Sequence, residues 1–231
     1  MRVNAVIVAA GEGKRIRGDI PKPFLPIGGL PLILHTLSRF AASQVRKVVL
    51  VTAGREVSRC RELIESDPRL GHLECLLQPG GPRRQDSVSR GLARLDADCE
   101  IVIIHDGARP FVSPRLIDRC VEVAFKEGAV VVGVPVRDTI KVISADRRVR
   151  ETPPRDSLWE IQTPQVFRID IIREAYDRAA REGTEATDDA MLVERLGKSV
   201  ALLEGHATNI KITLPEDLLF AEALLREGLV P

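Results

Sequence analysis

Two glycines and several cations follow directly after a strand-like apolar run near the start of the chain. The run covers residues 3–10, and the polar segment after it contains Gly11, Gly13, Lys14, Arg15, Arg17 and Lys22. Glycine lets backbone N–H groups approach phosphate oxygens that a Cβ atom would keep away. Lysine and arginine add positive charge, which only Glu12 and Asp19 oppose. The segment predicts a loop that binds a nucleotide or another phosphate-rich ligand.

Two better-known phosphate loops do not fit this segment. The chain has no G-x-x-x-x-G-K-[ST] string, so it lacks a P-loop. A dinucleotide-binding loop would need a third glycine where the chain has Ile16, and an acid at the end of the second strand, which ends at Thr52. An ordinary strand-to-helix turn with solvated charges remains an alternative when the loop is considered alone.

A carboxylate ends a later apolar run. Residues 101–104 are apolar and lead into His105, Asp106 and, three residues further on, Arg109. Asp106 suits one ligand of a Mg²⁺ ion bridged by nucleotide phosphates, and Arg109 suits a second phosphate. A turn-forming aspartate and a solvated arginine are the alternatives.

A second glycine-rich segment follows the third predicted strand and opens a helix. Gly80 and Gly81 precede Arg83, Arg84 and Ser87. Such residues at a helix start suit a base edge and a phosphate, although a Gly-Pro turn with helix capping explains them equally well.

Two further candidates depend on their context. Lys211 alternates with Ile210 and Ile212, so in a strand it would point to the face opposite them. Thr187 precedes two aspartates at a predicted helix start, where an N-cap threonine is routine. Without such context, Lys211 is explained as a solvent-facing lysine and Thr187 as a helix cap.

The elements that must position these residues alternate between strand and helix. Predicted strands cover residues 3–9, 47–52, 73–77, 100–105 and 129–134, and predicted helices cover 31–43, 56–66, 85–95 and 114–126. Repeated βα units imply a doubly wound, mostly parallel α/β sheet with helices on both faces. Ligands of such sheets bind beyond the carboxyl ends of the strands, where the first glycine loop and Asp106 both fall.

The alternation breaks between residues 135 and 165. Segments 139–144 and 149–152 flank a turn and predict a hairpin, and we assign 136–162 to a β-arm that protrudes from the domain. Beyond it, we predict helices over 169–181 and 187–196 and strands over 199–204 and 209–213. Thr213 and Glu216 have capping-box spacing before a closing helix. We expect one domain over residues 1–231.

Composition narrows the possible partners. The 231 residues carry a formal net charge of +1, with one Trp and one Tyr, so we expect neither a nucleic-acid nor a membrane partner. No leader peptide and no apolar run of 18 residues is evident. The four cysteines lack C-x-x-C spacing and predict reduced thiols, so we expect a cytoplasmic protein.

Together these segments resemble the 2-C-methyl-D-erythritol 4-phosphate cytidylyltransferase family of the non-mevalonate isoprenoid pathway. The resemblance covers nearly the whole chain, and it is carried by residues 9–15 with 21–22, 80–88, 105–110, 136–139, 158–165, 187–190 and 209–217. It implies a Rossmann-like nucleotidyltransferase sheet. It also implies that CTP and methylerythritol phosphate give a CDP-alcohol and pyrophosphate, with Mg²⁺ as cofactor, in a homodimer formed through the arm.

The resemblance also implies a role for individual residues. The residues implied for catalysis are Arg15, Lys22 and Lys211. Those implied for CTP binding are Ala10, Gly11, Gly13, Gly81, Arg84 and Ser87. Those implied for the acceptor are Asp106, Arg109, Thr139, Arg155 and Thr187, with Asp106 also near the metal. Thr139 and Arg155 lie on the arm and would reach the acceptor bound to the other subunit.

Two other functions stay open. A related cytidylyltransferase that uses D-ribitol 5-phosphate shares these loops and differs around the acceptor. A catalytically silent CTP-binding protein would keep the pocket but release no pyrophosphate, and the presence of Arg15, Lys22, Asp106 and Lys211 argues against it.

Overall fold

In the computed structural model, which describes residues 2–11 and 20–230, strands and helices alternate along most of the chain. The strands are β1 (Val3–Ala9), β2 (Pro26–Ile27), β3 (Leu30–Pro31), β4 (Lys47–Thr52), β5 (Glu74–Pro79), β6 (Ile101–Asp106), β7 (Ala129–Pro135), β8 (Val142–Ile143), β9 (Val149–Glu151), β10 (Trp159–Arg168) and β11 (Ala201–Glu204). The helices are α1 (Leu32–Ala41), α2 (Val57–Ser66), α3 (Arg84–Leu92), α4 (Pro114–Glu127), α5 (Ile169–Glu182), α6 (Asp189–Arg195) and α7 (Pro215–Arg226). Single 3₁₀ turns cover Lys22–Phe24, Gly54–Glu56, Pro68–Leu70 and Arg155–Ser157. No helix in these ranges is long and apolar enough to cross a membrane.

The central sheet has seven strands in the order β11-β7-β10-β6-β1-β4-β5. Its members β6, β1, β4 and β5 are parallel neighbours, and β11 is parallel to β7. Strand β10 lies antiparallel between β6 and β7. The predicted doubly wound, mostly parallel α/β sheet is confirmed, with one antiparallel strand in it.

Apolar layers cover both faces of this sheet. In β1, Ala5 and Ile7 pack into the cluster that includes α1, α2 and α4. Val6, between them, packs into the cluster on the opposite face with α3, α5 and α6. All three residues are fully buried, as expected for a parallel strand with helices on each side.

A third apolar cluster fixes the segment that carries Lys211. Ile212 is fully buried with Ile27, Phe111 and Ala221, between the β2–β3 hairpin and α7. Its N–H donates to the carbonyl oxygen of Ala108, at 2.9 Å. The backbone directly after Lys211 is therefore anchored to the loop after β6.

The last third of the chain departs from several predictions. Residues 209–213 form no strand, because the alternating isoleucines pack under α7 instead of joining the sheet edge. The predicted capping box of Thr213 and Glu216 is not formed, because α7 starts one residue later than predicted; instead Asp217 Oδ2 accepts the N–H groups of Thr213 at 2.6 Å and Leu214 at 2.8 Å. Asp188, not Thr187, caps α6, since its Oδ1 accepts the N–H of Met191 at 3.0 Å.

Strand β10 was missed entirely. Its first residues, 159–162, were assigned to the β-arm but pair with β7 in the central sheet, and its polar residues, Pro164 and a register shift between Gln162 and Gln165 hide any strand period. The hairpin predicted within the arm is present, with β8 and β9 paired antiparallel. Arg147 turns between them with a φ of 61°.

The cap of α4 provides a test of local stability. Ser113 Oγ accepts the N–H of Leu116 at 3.0 Å, and Pro114 follows at the first helical position. We expect Ser113→Ala to lower the free energy of unfolding by about 1 kcal/mol in a denaturant titration, because an N–H of the first turn loses its acceptor. The exposed Ser66, at the end of α2, provides the control Ser66→Ala, for which we expect a change within about 0.5 kcal/mol. Equal losses in the two variants would contradict the capping role.

Candidate functional site

Four parallel strands end in register at one edge of the sheet. Ala9 is paired with Thr52, Thr52 with Pro79, and Val8 with Asp106. The loops that follow these strands therefore leave the sheet side by side. They surround a cavity of about 940 Å³, which Lys22 and Lys211 also line.

The Gly80–Gly81 turn forms one wall of the cavity and requires glycine at both positions. A Cβ atom on Gly80 would lie 2.3 Å from the Cβ of Ala10, and one on Gly81 would lie 2.4 Å from the Cβ of Asp86. Ser87 Oγ accepts the N–H of Gly81 at 3.0 Å and lies 3.1 Å from the carbonyl oxygen of Arg83. Ser87 thus holds the turn in shape at the start of α3.

Asp106 is the charged centre of the site. It is 7% exposed, and its Oδ1 lies 3.0 Å from Arg84 Nε while its Oδ2 lies 2.6 Å from Lys211 Nζ. Burial alone would raise the pKa of Asp106, but the positive charges of Arg84, Lys211 and Arg109 outweigh burial and hold that pKa well below its usual range. The carboxylate is therefore ionised at any physiological pH.

Arg84 joins this centre to a second buried carboxylate. Its Nη2 lies 2.8 Å from Asp189 Oδ2, and Tyr176 donates its hydroxyl to Asp189 Oδ1 at 2.6 Å. Burial opposes the charged form of Arg84, yet Asp189 and Asp106 together raise its pKa. Burial, with the charge of Asp189 added, raises the pKa of Tyr176 well above its usual value, so its hydroxyl stays protonated as a donor.

A neutral histidine fixes the backbone at Asp106. Thr163 Oγ1 accepts the N–H of Asp106 at 3.0 Å and lies 3.1 Å from His105 Nδ1. His105 Nε2 lies 3.1 Å from the carbonyl oxygen of Arg109, which can only accept, so Nε2 carries the proton and Nδ1 accepts from Thr163. Burial lowers the pKa of His105 to about 4, although the bond to Arg109 and the charge of Asp106 oppose this shift.

Arg109 is a desolvated cation beside this network. Its Nη1 donates to the carbonyl oxygen of Asn209 at 2.7 Å. Its Nε is buried and has no hydrogen-bond partner among the residues that the structure describes. Burial lowers the pKa of Arg109, and the charge of Asp106 offsets part of this effect.

The structure brings together many of the residues singled out in the sequence. Those that line the cavity are Ala10, Gly11, Lys22, Gly81, Arg84, Ser87, Asp106 and Lys211. Gly13 and Arg15 lie outside the described residues. The roles predicted for all of these residues stay predictions, because their placement at a cavity does not identify a ligand.

Four predicted acceptor residues do not line the cavity within one chain, and Arg109, which lies beside Asp106 but outside the lining, is one of them. Thr139 and Arg155 lie on or beside the exposed arm, where Arg155 Nη1 donates to the carbonyl oxygen of Arg137 at 3.0 Å. Thr187 is exposed at the start of α6, with Oγ1 at 3.8 Å from the sulfur of Met191. A single chain therefore does not gather the whole set of predicted acceptor residues.

Several residues of the site were missed in the sequence. Gly54 and Arg55 line the cavity, and the end of β4 at the sheet edge was a signal that could have found them. The folding of β10, α5 and α6 brings three further residues to the site, namely Thr163, Tyr176 and Asp189. Their hydrogen-bond partners are distant in sequence and cannot be predicted from local spacing. Their hydrogen bonds depend on the tertiary structure.

The residues present fit only one kind of metal site. Among residues 2–11 and 20–230, no three His, Cys, Asp or Glu side chains are grouped to hold a metal ion. Asp106 is the carboxylate at the cavity, and each of its oxygens already faces a cation. These residues suit a cation that takes most of its ligands from phosphates and water, and they do not form an all-protein cage.

The fold is that of an α/β protein of the nucleotidyltransferase type, and its cation-lined cavity is built from loops after parallel strands. The sequence profile of the family described as 2-C-methyl-D-erythritol 4-phosphate cytidylyltransferase matches residues 3–227. The chain belongs to this family.

Individual relatives agree with this assignment along the whole chain. The 2-C-methyl-D-erythritol 4-phosphate cytidylyltransferase of Geotalea uraniireducens is 46% identical over 229 residues, which cover 98% of this chain and 97% of the relative. The crystal structure of 4-diphosphocytidyl-2C-methyl-D-erythritol synthase from Anaerococcus prevotii is similar with a TM-score of 0.86 at 31% identity, covering 97% of this chain and 98% of that one. The Thermus thermophilus cytidylyltransferase structure has a TM-score of 0.79 at 39% identity, covering 98% and 100%.

His105 predicts how stability depends on pH. The pKa of His105 falls from 6.5 to about 4 on folding, so the unfolded chain binds this proton first as pH drops. We expect the titration of His105 to lower the free energy of unfolding by up to about 3 kcal/mol between pH 6.5 and 4. Below pH 4, His105 should cause no further loss. Asp106 contributes in the same direction but at lower pH. Its pKa is lowered on folding from 3.8, so the stability that its carboxylate provides is lost only as the pH falls below that value.

The measurement is chemical unfolding at several pH values for the wild type and His105→Gln. Glutamine can still accept from Thr163 and donate to the Arg109 carbonyl, so the variant removes mainly the titration. A smaller slope between pH 6.5 and 4 in His105→Gln is expected. Identical slopes would show that His105 is not the group that titrates.

Proposed function

We propose that this protein transfers the cytidylyl group of CTP to 2-C-methyl-D-erythritol 4-phosphate, giving 4-CDP-2-C-methyl-D-erythritol and pyrophosphate. The observation that carries the proposal is the buried Asp106 flanked by Arg84 and Lys211 at a cavity beyond the strand ends. Membership of the family supports the choice of substrates.

In this reaction, an oxygen of the acceptor phosphate attacks the α-phosphorus of CTP. The new P–O bond forms as the bond between the α-phosphorus and the bridging oxygen to the β-phosphate breaks, and pyrophosphate leaves with that electron pair. The nucleophile is already anionic at neutral pH, so no strong general base is needed. The barrier comes from bringing two polyanions together, and positioned cations lower it.

The described cations suit this task. Lys22 and Lys211 line the cavity, and we assign them, with Arg15, to the triphosphate and the charge that develops at the α-phosphorus. Because a low-dielectric site strengthens charge–charge interactions, cations held beside Asp106 act more strongly than they would in water. Lys211 is placed by the buried Ile212 and needs little reorganisation to meet a phosphate.

Backbone groups suit recognition of the nucleotide. Gly81 and Ser87 lie at the cavity wall, and we assign them to the cytosine, with Ala10, Gly11 and Gly13 approaching the rest of CTP. The close approach of Gly80 to Ala10 leaves no space for a side chain, so the two loops pack directly against each other. A closely packed wall favours one base shape over another.

We further propose that Mg²⁺ assists, with Asp106 as its protein ligand and the remaining ligands from phosphates and water. When bound, the ion would neutralise phosphate charge. Arg84 contacts Oδ1 of Asp106 whereas Lys211 contacts Oδ2, so the carboxylate keeps one partner when a ligand engages the other cation.

We propose that the acceptor binds between Asp106, Arg109 and the arm of a second copy of the chain. The buried Arg109 Nε, unpartnered among the described residues, suits an acceptor phosphate. Thr139 and Arg155 lie away from the cavity of their own chain, and the arm exposes the apolar residues Val142 and Val149. Exposed apolar side chains on a protruding hairpin favour burial in a homodimer.

We place the reaction in the cytoplasm. All four cysteines are free thiols in the structure, which supports a reducing compartment. The partners required are then small molecules and a second copy of the chain.

The activity is tested by pyrophosphate release from CTP and Mg²⁺, with methylerythritol phosphate and D-ribitol 5-phosphate in parallel. We expect release with methylerythritol phosphate. Release only with ribitol phosphate would keep the chemistry and change the acceptor. Binding of CTP without release from either acceptor would overturn the enzymatic proposal.

Lys211 should matter for turnover. We expect Lys211→Ala to lower kcat by on the order of 10²-fold, because a cation that stabilises transition-state charge is lost. Lys198→Ala is the matched control, since Lys198 is an exposed lysine paired with Glu174 away from the cavity. The control should retain wild-type kcat in the same assay, and equal kcat in both variants would remove Lys211 from the mechanism.

A mixed dimer tests whether the arm crosses between subunits. Differently tagged Arg155→Ala and Lys211→Ala chains are co-expressed, and heterodimers are isolated by both tags. One site then combines an intact cavity with an intact arm, so we expect about half of wild-type activity at limiting acceptor, against low activity for either homodimer. A heterodimer no more active than the parents would indicate a site built within one chain.

A further inference from the structure

Arg84 is held at two points by two different carboxylates. Its Nε faces Asp106 Oδ1 at 3.0 Å, and its Nη2 faces Asp189 Oδ2 at 2.8 Å. A guanidinium group is planar, so these two contacts set both its position and its orientation. Asp189 lies away from the cavity lining and is 1% exposed.

Asp189 is itself held by Tyr176, the only tyrosine of the chain. The Tyr176 hydroxyl donates to Asp189 Oδ1 at 2.6 Å, so the two oxygens of this carboxylate face Tyr176 and Arg84. A run of contacts thus leads from α5 through α6 to Arg84 and on to Asp106.

The hydroxyl of Tyr176 is not required to fix the start of α6. Gln165 Oε1 accepts the N–H groups of Asp189 and Ala190 at 3.1 and 3.0 Å, and Gln165 Nε2 donates to Asp188 Oδ2 at 2.8 Å. The backbone of Asp189 is therefore held from β10. The hydroxyl acts on the carboxylate, and through it on Arg84.

This anchoring matters most when ligands arrive. Lys211 shares Asp106 with Arg84, and a phosphate that engages Lys211 leaves Arg84 as the remaining partner of Asp106. An arginine free to turn would let the carboxylate move with it. Misplacement of a reacting or charge-stabilising group by about 1 Å is costly in catalysis.

We propose that Tyr176 and Asp189 are positioning residues that hold Arg84, and through it Asp106, in the geometry that cytidylyl transfer requires. This inference rests on the proposed function. In this proposal, neither Tyr176 nor Asp189 contacts a substrate, and both act through Arg84.

The test compares Tyr176→Phe with Ile172→Val by kcat, KM and thermal unfolding. Both residues lie on α5 and are buried, and Ile172→Val trims the core without touching the run of contacts. We expect Tyr176→Phe to lower kcat/KM for the acceptor about tenfold, the size of one lost hydrogen bond to a charged group. Ile172→Val should lose thermal stability and keep wild-type kcat/KM.

A double-mutant cycle with Arg84→Lys separates positioning from folding. Lysine keeps the charge but cannot reach both carboxylates with a planar fork. In the Arg84→Lys background, we expect Tyr176→Phe to change kcat/KM less than about twofold. The same tenfold loss in both backgrounds would overturn the proposal, as would a Tyr176→Phe effect no larger than that of Ile172→Val.

A measurement without activity separates this inference from the proposed function. In ¹⁵N-arginine spectra, the Arg84 Nε–H signal, assigned by its loss in Arg84→Lys, should be protected from solvent exchange in the wild type. Its exchange should speed up in Tyr176→Phe and not in Ile172→Val. An unchanged exchange rate in Tyr176→Phe would overturn the positioning role, whereas absence of pyrophosphate release from the wild type would overturn the proposed reaction alone.

Discussion

The ionised carboxylate of Asp106, buried at the end of a central strand, is the constraint on which the site depends. A charge removed from water is tolerated only when it is paired and hydrogen-bonded. Asp106 meets this requirement with Arg84 from the start of α3 and Lys211 from the segment before α7. The Thr163 hydroxyl accepts its backbone N–H. Three distant parts of the chain must therefore converge at one point.

The same requirement makes the site suitable for phosphate chemistry. The cations that neutralise Asp106 are already held and oriented before any ligand arrives, and such preorganised charge is the condition under which electrostatic catalysis is strongest. A phosphate in the cavity would compete with Asp106 for Lys211, and until then the ion pair holds the lysine in place at the cavity. The neutral His105 adds no further positive charge next to the arginines, because burial keeps its pKa low.

The sequence predicted those parts of the fold that depend on local pattern. Apolar runs located β1 and β4 at their observed bounds, because strands covered on both faces need continuous apolar residues. It failed for β10, whose pairing with β6 and β7 compensates for a polar and proline-containing sequence. It also failed for residues 209–213, where the alternation expected of a strand serves packing under α7 and exposure of Lys211 to the cavity.

For the site, the sequence by itself determined the residue types and, through the rule on strand ends, the edge of the sheet where most of them meet. Residue type alone indicates the chemistry of Gly80 and Gly81, of the aspartate that ends β6 and of the cations around it. Only the tertiary structure decided which charges pair, since Arg84 could face any of several acids and selects Asp106 and Asp189. It also decided that Tyr176 and Thr163 belong to the site, because side-chain hydrogen bonds between distant elements depend on packing that no local spacing encodes.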